Sequence, residues 1–125
     1  MFYNLYPEDA PNPVPLIVLR YSNDKWVEVR ANSTRSASGL YNFVSVGGMI
    51  YISKASRSFH GSPIGHIDLA RAGLVDYAGE IRFAGRKKRG LLRFWNNLSG
   101  HYQPSADQAS RAGLPMELFQ PGFSW

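Results

Sequence analysis

The sequence predicts an α+β fold: a single small domain built on a twisted antiparallel sheet with two short helices. Three observations carry that reading. β-prone runs recur along the chain with turn residues between them. The run from Val75 to Phe83 alternates, with Val75, Tyr77, Ile81 and Phe83 on one side and Asp76, Ala78, Glu80 and Arg82 on the other. Helix punctuation is confined to two places, after Ser62 and after Ser105. A chain of 125 residues suits one domain with a modest core, and 44% of it is hydrophobic.

Taken in order, residues 1–15 hold Pro7, Pro11, Pro13 and Pro15 and read as an extended arm, the end of a linker from a region upstream; residues 16–125 form the domain. Leu16 to Arg20 and Trp26 to Arg30 read as strands around a Ser22-Asn23-Asp24 turn. Asn32 to Gly39 is rich in Ser, Thr and Arg and reads as a loop. Tyr41 to Val46 and Met49 to Ser53 flank Gly47-Gly48, a two-residue hairpin signal. Lys54 to Gly61 is a polar loop. Ser62 as N-cap and Pro63 at the first helical position open a short helix that Gly73 closes. Leu91 to Asn96 pairs back onto Val75 to Phe83 through a basic loop. Pro104 pushes Gln103 toward an extended backbone, and Gly100 takes a positive φ if the turn needs one. A last helix runs from Ser105 to Ala112, with Gln108 as capping-box partner of Ser105, and ends at Gly113. The aromatic tail from Leu114 to Trp125 is expected to lie over the core.

The chain has no cysteine, which removes disulfides and thiolate metal sites and fits a reducing cytosol or passage, unfolded, through a secretion system. No apolar run is long enough to span a bilayer, so no membrane partner is expected. The start lacks the basic and apolar regions of a signal peptide, so export would need another part of a longer chain or a dedicated machine. A net charge of +5 points to acidic partners: an acidic protein, nucleic acid or a phosphate-bearing cofactor. The cluster from Arg82 to Arg93 would attract phosphates, although it also reads as a solvated hairpin tip.

The most unusual stretch is Trp95 to Ser105, which gathers two aromatics, a His, two Asn, a Gly and a Pro at one strand-to-helix junction. Within it, Ser99-Gly100-His101-Tyr102-Gln103-Pro104-Ser105 follows the earlier Phe59-His60-Gly61-Ser62 and Ala78-Gly79-Glu80-Ile81. Together they resemble a recurring pattern in C-terminal domains of bacterial polymorphic toxins and of type III effectors of plant pathogens. A similar pattern occurs in plant IQ-motif calmodulin-binding proteins. The resemblance spans residues 41–115. It implies a secreted domain, translocated into a target or host cell, that meets a target-cell protein or peptide. An immunity protein or secretion chaperone would be the producer's partner.

Some such effectors are related to arginine-specific mono-ADP-ribosyltransferases, so the resemblance also implies an ADP-ribosyltransferase-like version of the fold. NAD is the one cofactor it brings in. That chemistry uses an early Arg for NAD, a middle-strand Ser, and a late Glu that stabilises an oxocarbenium-like transition state. Arg20, Ser53 and Glu80 stand in that order. Ala78 occupies the place of the second acid or Gln, and Ile52-Ser53-Lys54 stands where Ser-Thr-Ser is usual, so NAD chemistry is expected to be altered or lost. Glu80 reads equally well as a strand carboxylate paired with Arg82 or Arg93.

Two other readings stay open. His60 and His101 could act as acid and base in RNase-type cleavage, with Arg57 or Lys54 steadying the phosphorane. Alternatively, the domain binds a protein without chemistry. For the loop itself the plainer reading is structural: Tyr102 packs and His101 fixes the turn by bonding a backbone carbonyl. Tyr102 and Asn97 are candidates for substrate contact, and Gly79, with no side chain, is expected to leave room for a neighbouring ring or a ligand in a cleft lined by His101 and Glu80. The spacing of His60, His66 and His101 matches no compact zinc signature, and no metal is expected.

Overall fold

A computed structural model describes residues 1–123. Trp125, expected in the ordered tail, lies outside the described residues. Strands β1 (Ile17–Ser22) and β2 (Lys25–Val29) meet through Asn23 and Asp24, whose φ values of 52° and 63° make the turn that matches strand twist. The segment expected as a loop after Arg30 adds a short strand, β3 (Thr34–Ser36), because Arg35 stands opposite Glu28 on β2 and ties it there. β4 (Gly39–Val46) and β5 (Met49–Lys54) turn at Gly47-Gly48, with φ of 57° and 84°.

The first helix starts later than its sequence signals suggest. Ser62-Pro63 is instead the second strand of a small hairpin, β6 (Ser58–Phe59) with β7 (Ser62–Pro63), because His60 and Gly61 both take positive φ and turn the chain back. The helix α1 is one turn, His66–Leu69. Asp68 sets its start by accepting the Gly65 amide at 2.8 Å. β8 (Tyr77–Phe83) and β9 (Leu92–Trp95) complete a seven-stranded antiparallel sheet of order β3-β2-β1-β5-β4-β8-β9.

The second helix runs Ala106–Ala112 as a 3-10 helix and stops at Gly113, where φ is 75°. The expected capping box does not form: the Ser105 side chain makes no cap bond, and Gln108 accepts from Arg111 instead. Single 3-10 turns at Arg86–Lys88 and Met116–Leu118 finish the helical content.

The sheet curls strongly. Gly90, in the β8–β9 loop, donates its amide to Ala37 at 2.6 Å and accepts from the Trp26 amide at 2.9 Å. Its backbone lies so close to β2 that a Cβ would stand 2.8 Å from Lys25 Cβ. The last hairpin therefore meets the second strand. The concave face buries Ile17, Leu19, Tyr41, Phe43, Ile52, Tyr77, Ile81, Phe83 and Trp95. The C-terminal segment covers this face: Ala109, Ala112 and Leu114 are buried there, and Phe119 packs on Trp95 with ring centroids 4.5 Å apart. The convex face packs Val44 and Ala78 against Val14, Ile64, Ile67, Leu69 and Tyr102. The proline-rich arm adds to this side, with a bridge from Phe2 to Val75 and a bond from the Leu5 amide to the His101 carbonyl. Among the described residues no helix is long and apolar enough to cross a membrane.

Candidate functional site

Strand register places a row of polar side chains across the convex face. Asn42 on β4 stands opposite Glu80 on β8 and opposite Ser53 on β5. Asn96, just past β9, joins at the other end, its amide donating to the Glu80 carbonyl at 2.9 Å. Alternation along each strand turns these four side chains to one side. Asn96 Nδ2 donates to Glu80 Oε1 at 3.1 Å, while its Oδ1 accepts from the amides of Glu80 at 2.7 Å and Leu98 at 3.0 Å. Glu80 thus pairs with an amide side chain; no salt bridge to Arg82 or Arg93 is present among the described residues. Asn42 donates to the Ile64 carbonyl at 3.2 Å.

Ser53 differs from its neighbours. It is buried, and its Oγ has no hydrogen-bond partner among the described residues. A buried hydroxyl without a partner costs about 1–3 kcal/mol. Ser53 lines a cleft of about 440 Å³ whose apolar wall includes Val14, Leu16, Phe59 and Ile64 and whose polar wall includes Asn32, Ser33, Ser58 and Arg57. Arg57 is exposed, and its guanidinium has no partner among the described residues. Arg30 also reaches this cleft, but its guanidinium is held by Glu28 at 2.8 Å.

The other expected residues are mostly tied into the architecture. Tyr102 is buried and donates to the Gly73 carbonyl at 2.6 Å; burial pushes its hydroxyl up to about 12, so it stays a neutral donor. Asn97 bridges the Pro104 carbonyl and the Gly122 amide. His101 does not bond a backbone carbonyl through its ring: Nε2 meets Asp9 Oδ2 at 3.0 Å and the ring packs edge-on against Tyr6. The backbone of the loop also departs from expectation. Gln103, not Gly100, takes the positive φ, at 42°, because its amide closes the loop onto the Ser99 carbonyl at 2.8 Å. His60 sits exposed at the tip of the β6–β7 hairpin, its ring on Phe59, and no hydrogen bond or ring contact joins it to His101 among the described residues. Arg20 is exposed on β1. Since Val18 pairs with Tyr51, Arg20 lies at the level of Met49, well along the sheet from the Ser53–Asn42–Glu80 row. Lys54 points to the concave face and is out of reach of His101.

Gly79 leaves no space for a ligand or a neighbouring ring. A Cβ there would lie 1.9 Å from the Asn96 carbonyl oxygen, so the glycine admits the backbone that turns out of β9. Two participants were not singled out for this site by sequence. His66 is buried on α1 and donates from Nε2 to the Gly79 carbonyl at 2.8 Å. Burial lowers its pKa and keeps the ring neutral, the Gly79 bond and the Glu80 charge oppose this, and His101 adds to it. Asn42 carried no local signal; only its register opposite Glu80 brings it in. No group of His, Asp and Glu among the described residues is arranged to hold a metal. Searches against family models, curated proteins and solved structures return no match to this chain.

Proposed function

We propose that the chain is an effector- or toxin-type domain that binds a target protein, and that the cleft beside Ser53 takes an acid-bearing segment of that target. Ser53, a residue at the end of a polar row whose buried hydroxyl has no partner among the described residues, lines the same cleft as the Arg57 guanidinium, and that carries this reading. A carboxylate entering the cleft would accept from both groups, and charge-assisted bonds are about twice as strong as neutral ones. The apolar wall suits the aliphatic stem of a glutamate or a neighbouring apolar residue. The surplus positive charge of the chain steers acidic partners toward it. The translocated life implied by the motif resemblance supplies the setting, and an immunity protein would cover this same cleft.

A second reading, NAD-dependent transfer on an ADP-ribosyltransferase-like fold, draws support from the Ser53–Asn42–Glu80 row. The distance of Arg20 from that row and the Ala78 position speak for weak or absent NAD binding.

Selection from a random-peptide display library tests the first reading. Enriched peptides are expected to carry Glu or Asp, and Arg57→Ala is expected to weaken them about tenfold, the size of one charged contact. Enrichment of basic peptides, or peptides indifferent to Arg57→Ala, would overturn it. Micromolar NAD affinity by calorimetry would move the balance to the transferase reading.

A further inference from the structure

On the opposite face of β5 from Ser53, at the seam where the β8–β9 loop closes against β2 and β3, lies a second cleft of about 360 Å³. Its walls are Glu28, Arg35, Ser36, Ser38, Lys54 and Arg89. We propose that this cleft binds a phosphate or pyrophosphate group, at a site separate from the peptide cleft.

The lining charges come first. Three cations against one carboxylate leave a surplus of two positive charges, matched to a doubly charged phosphate. The carboxylate is not free to repel an anion. Glu28 is 1% exposed, accepts from Arg30 at 2.8 Å and from Arg35 Nε at 3.2 Å, and takes a hydrogen bond from the Tyr41 hydroxyl. Burial alone would raise the Glu28 carboxyl, but the bonds from Tyr41, Arg30 and Arg35 outweigh it and hold the group below its ordinary value. The same environment pushes the Tyr41 hydroxyl up, burial first and the Glu28 bond second. Glu28 is thus a fixed anchor at the back of the cleft.

The donors at the front remain available. Arg35 gives only Nε to Glu28, and its side chain is 61% exposed, so its terminal nitrogens face solvent. Arg89 makes no ion pair or hydrogen bond among the described residues. Lys54 is anchored through the Ser38 carbonyl and lies over the Tyr41 ring, its Nζ 4.7 Å from the centroid. Burial lowers the Lys54 pKa; Glu28 opposes this, while Arg35, Arg89 and Arg82 add to it. Such crowding of cations is unfavourable without an anion and is relieved by one. Phosphate, with several acceptor oxygens, can meet Arg35, Lys54 and Arg89 at once, which a carboxylate cannot do as fully. The basic β8–β9 loop therefore has two sides: Arg89 turns to the seam, while Lys87 and Lys88 stay exposed on a 3-10 turn.

Calorimetric titration with pyrophosphate, and separately with inorganic phosphate, tests this on the whole chain. Saturable binding is expected in 0.15 M salt. Arg89→Gln is expected to weaken it about tenfold, the loss of one charged contact, and the double change Lys87→Gln with Lys88→Gln less than about twofold. Arg89 is exposed, so its replacement leaves the fold intact. Binding should also raise the Lys54 titration midpoint in an NMR experiment. Absence of binding would overturn the proposal, as would equal losses from Arg89→Gln and from the Lys87/Lys88 change, which would mean diffuse attraction to a basic tip.

Discussion

The loop from Asn96 to Ser105 and the cleft beside Ser53 lie at opposite ends of one polar row, and they use polar residues in opposite ways. In the loop the distinctive side chains have partners inside the domain: Asn96, Asn97 and Tyr102 bond to backbone, and His101 bonds to Asp9. In the cleft, among the described residues, a serine is buried without a hydrogen-bond partner for its hydroxyl and an arginine side chain stands unpaired. Richness in chemistry-bearing residue types therefore marks, in this chain, a junction that needs many bonds to hold its shape. The two buried side-chain atoms left without a partner among the described residues, Ser53 Oγ and Arg82 Nε, belong to ordinary strand residues. An unsatisfied buried group is the stronger pointer to a ligand, because it carries an energetic cost that a ligand removes.

That contrast can be broken by experiment, and the largest effect should come from the loop. Tyr102→Ala is expected to cost about 3–5 kcal/mol in urea unfolding, since it removes a buried aromatic and leaves the Gly73 carbonyl without its donor. A loss under about 1 kcal/mol would mean that the loop is not the anchor described here.

The pH dependence should follow from His66. Its folded value is depressed below 6.5, so the unfolded chain binds the proton more readily. Stability is expected to be full above about pH 6.5 and to fall on acidification through the interval below it. Glu28, depressed below 4.5, adds a second loss as the pH falls through the carboxylate range. His66→Gln, which keeps a donor toward the Gly79 carbonyl, should flatten the first interval and leave the second. An unchanged slope above the carboxylate range would remove His66 from the account.

Ser53→Ala should sharpen the comparison. Removing a hydroxyl without a partner is expected to leave stability unchanged or raise it by about 1 kcal/mol, while weakening any cleft ligand. A clear destabilisation would show that the hydroxyl is bonded in the free protein. The smallest effect belongs to His101→Ala. Its pair with Asp9 is partly exposed, and such pairs contribute about 0–1 kcal/mol. Thermal unfolding should shift little, and peptide binding at the Ser53 cleft should not change.

Much of the sheet was legible in sequence because its signals are local. Alternation from Val75 to Phe83 and the Gly47-Gly48 turn fix β8 and the β4–β5 hairpin through neighbouring residues alone. The departures come where tertiary contacts decide. Ser62-Pro63 carries helix-start residues, yet the His60-Gly61 turn pairs it into a hairpin. Thr34 to Ser36 becomes a strand because Glu28 on β2 draws Arg35 to it. The site was less legible. Arg20, Ser53 and Glu80 stand in a suggestive order, but sequence order does not fix cross-strand level, and only Ser53 and Glu80 share one. Gly79 shows the same limit from the other side: a missing side chain signals close approach, and here the approaching group is the Asn96 backbone.

The central claim is that the ligand enters at Ser53 and Arg57 and that the His101 loop is architecture. Amide chemical-shift mapping with a selected acidic peptide tests it most directly. The account expects the largest shifts at residues 30–33, 53–58 and 64, with residues 97–103 little changed. Shifts concentrated at residues 97–103, with the Ser53 cleft silent, would contradict it.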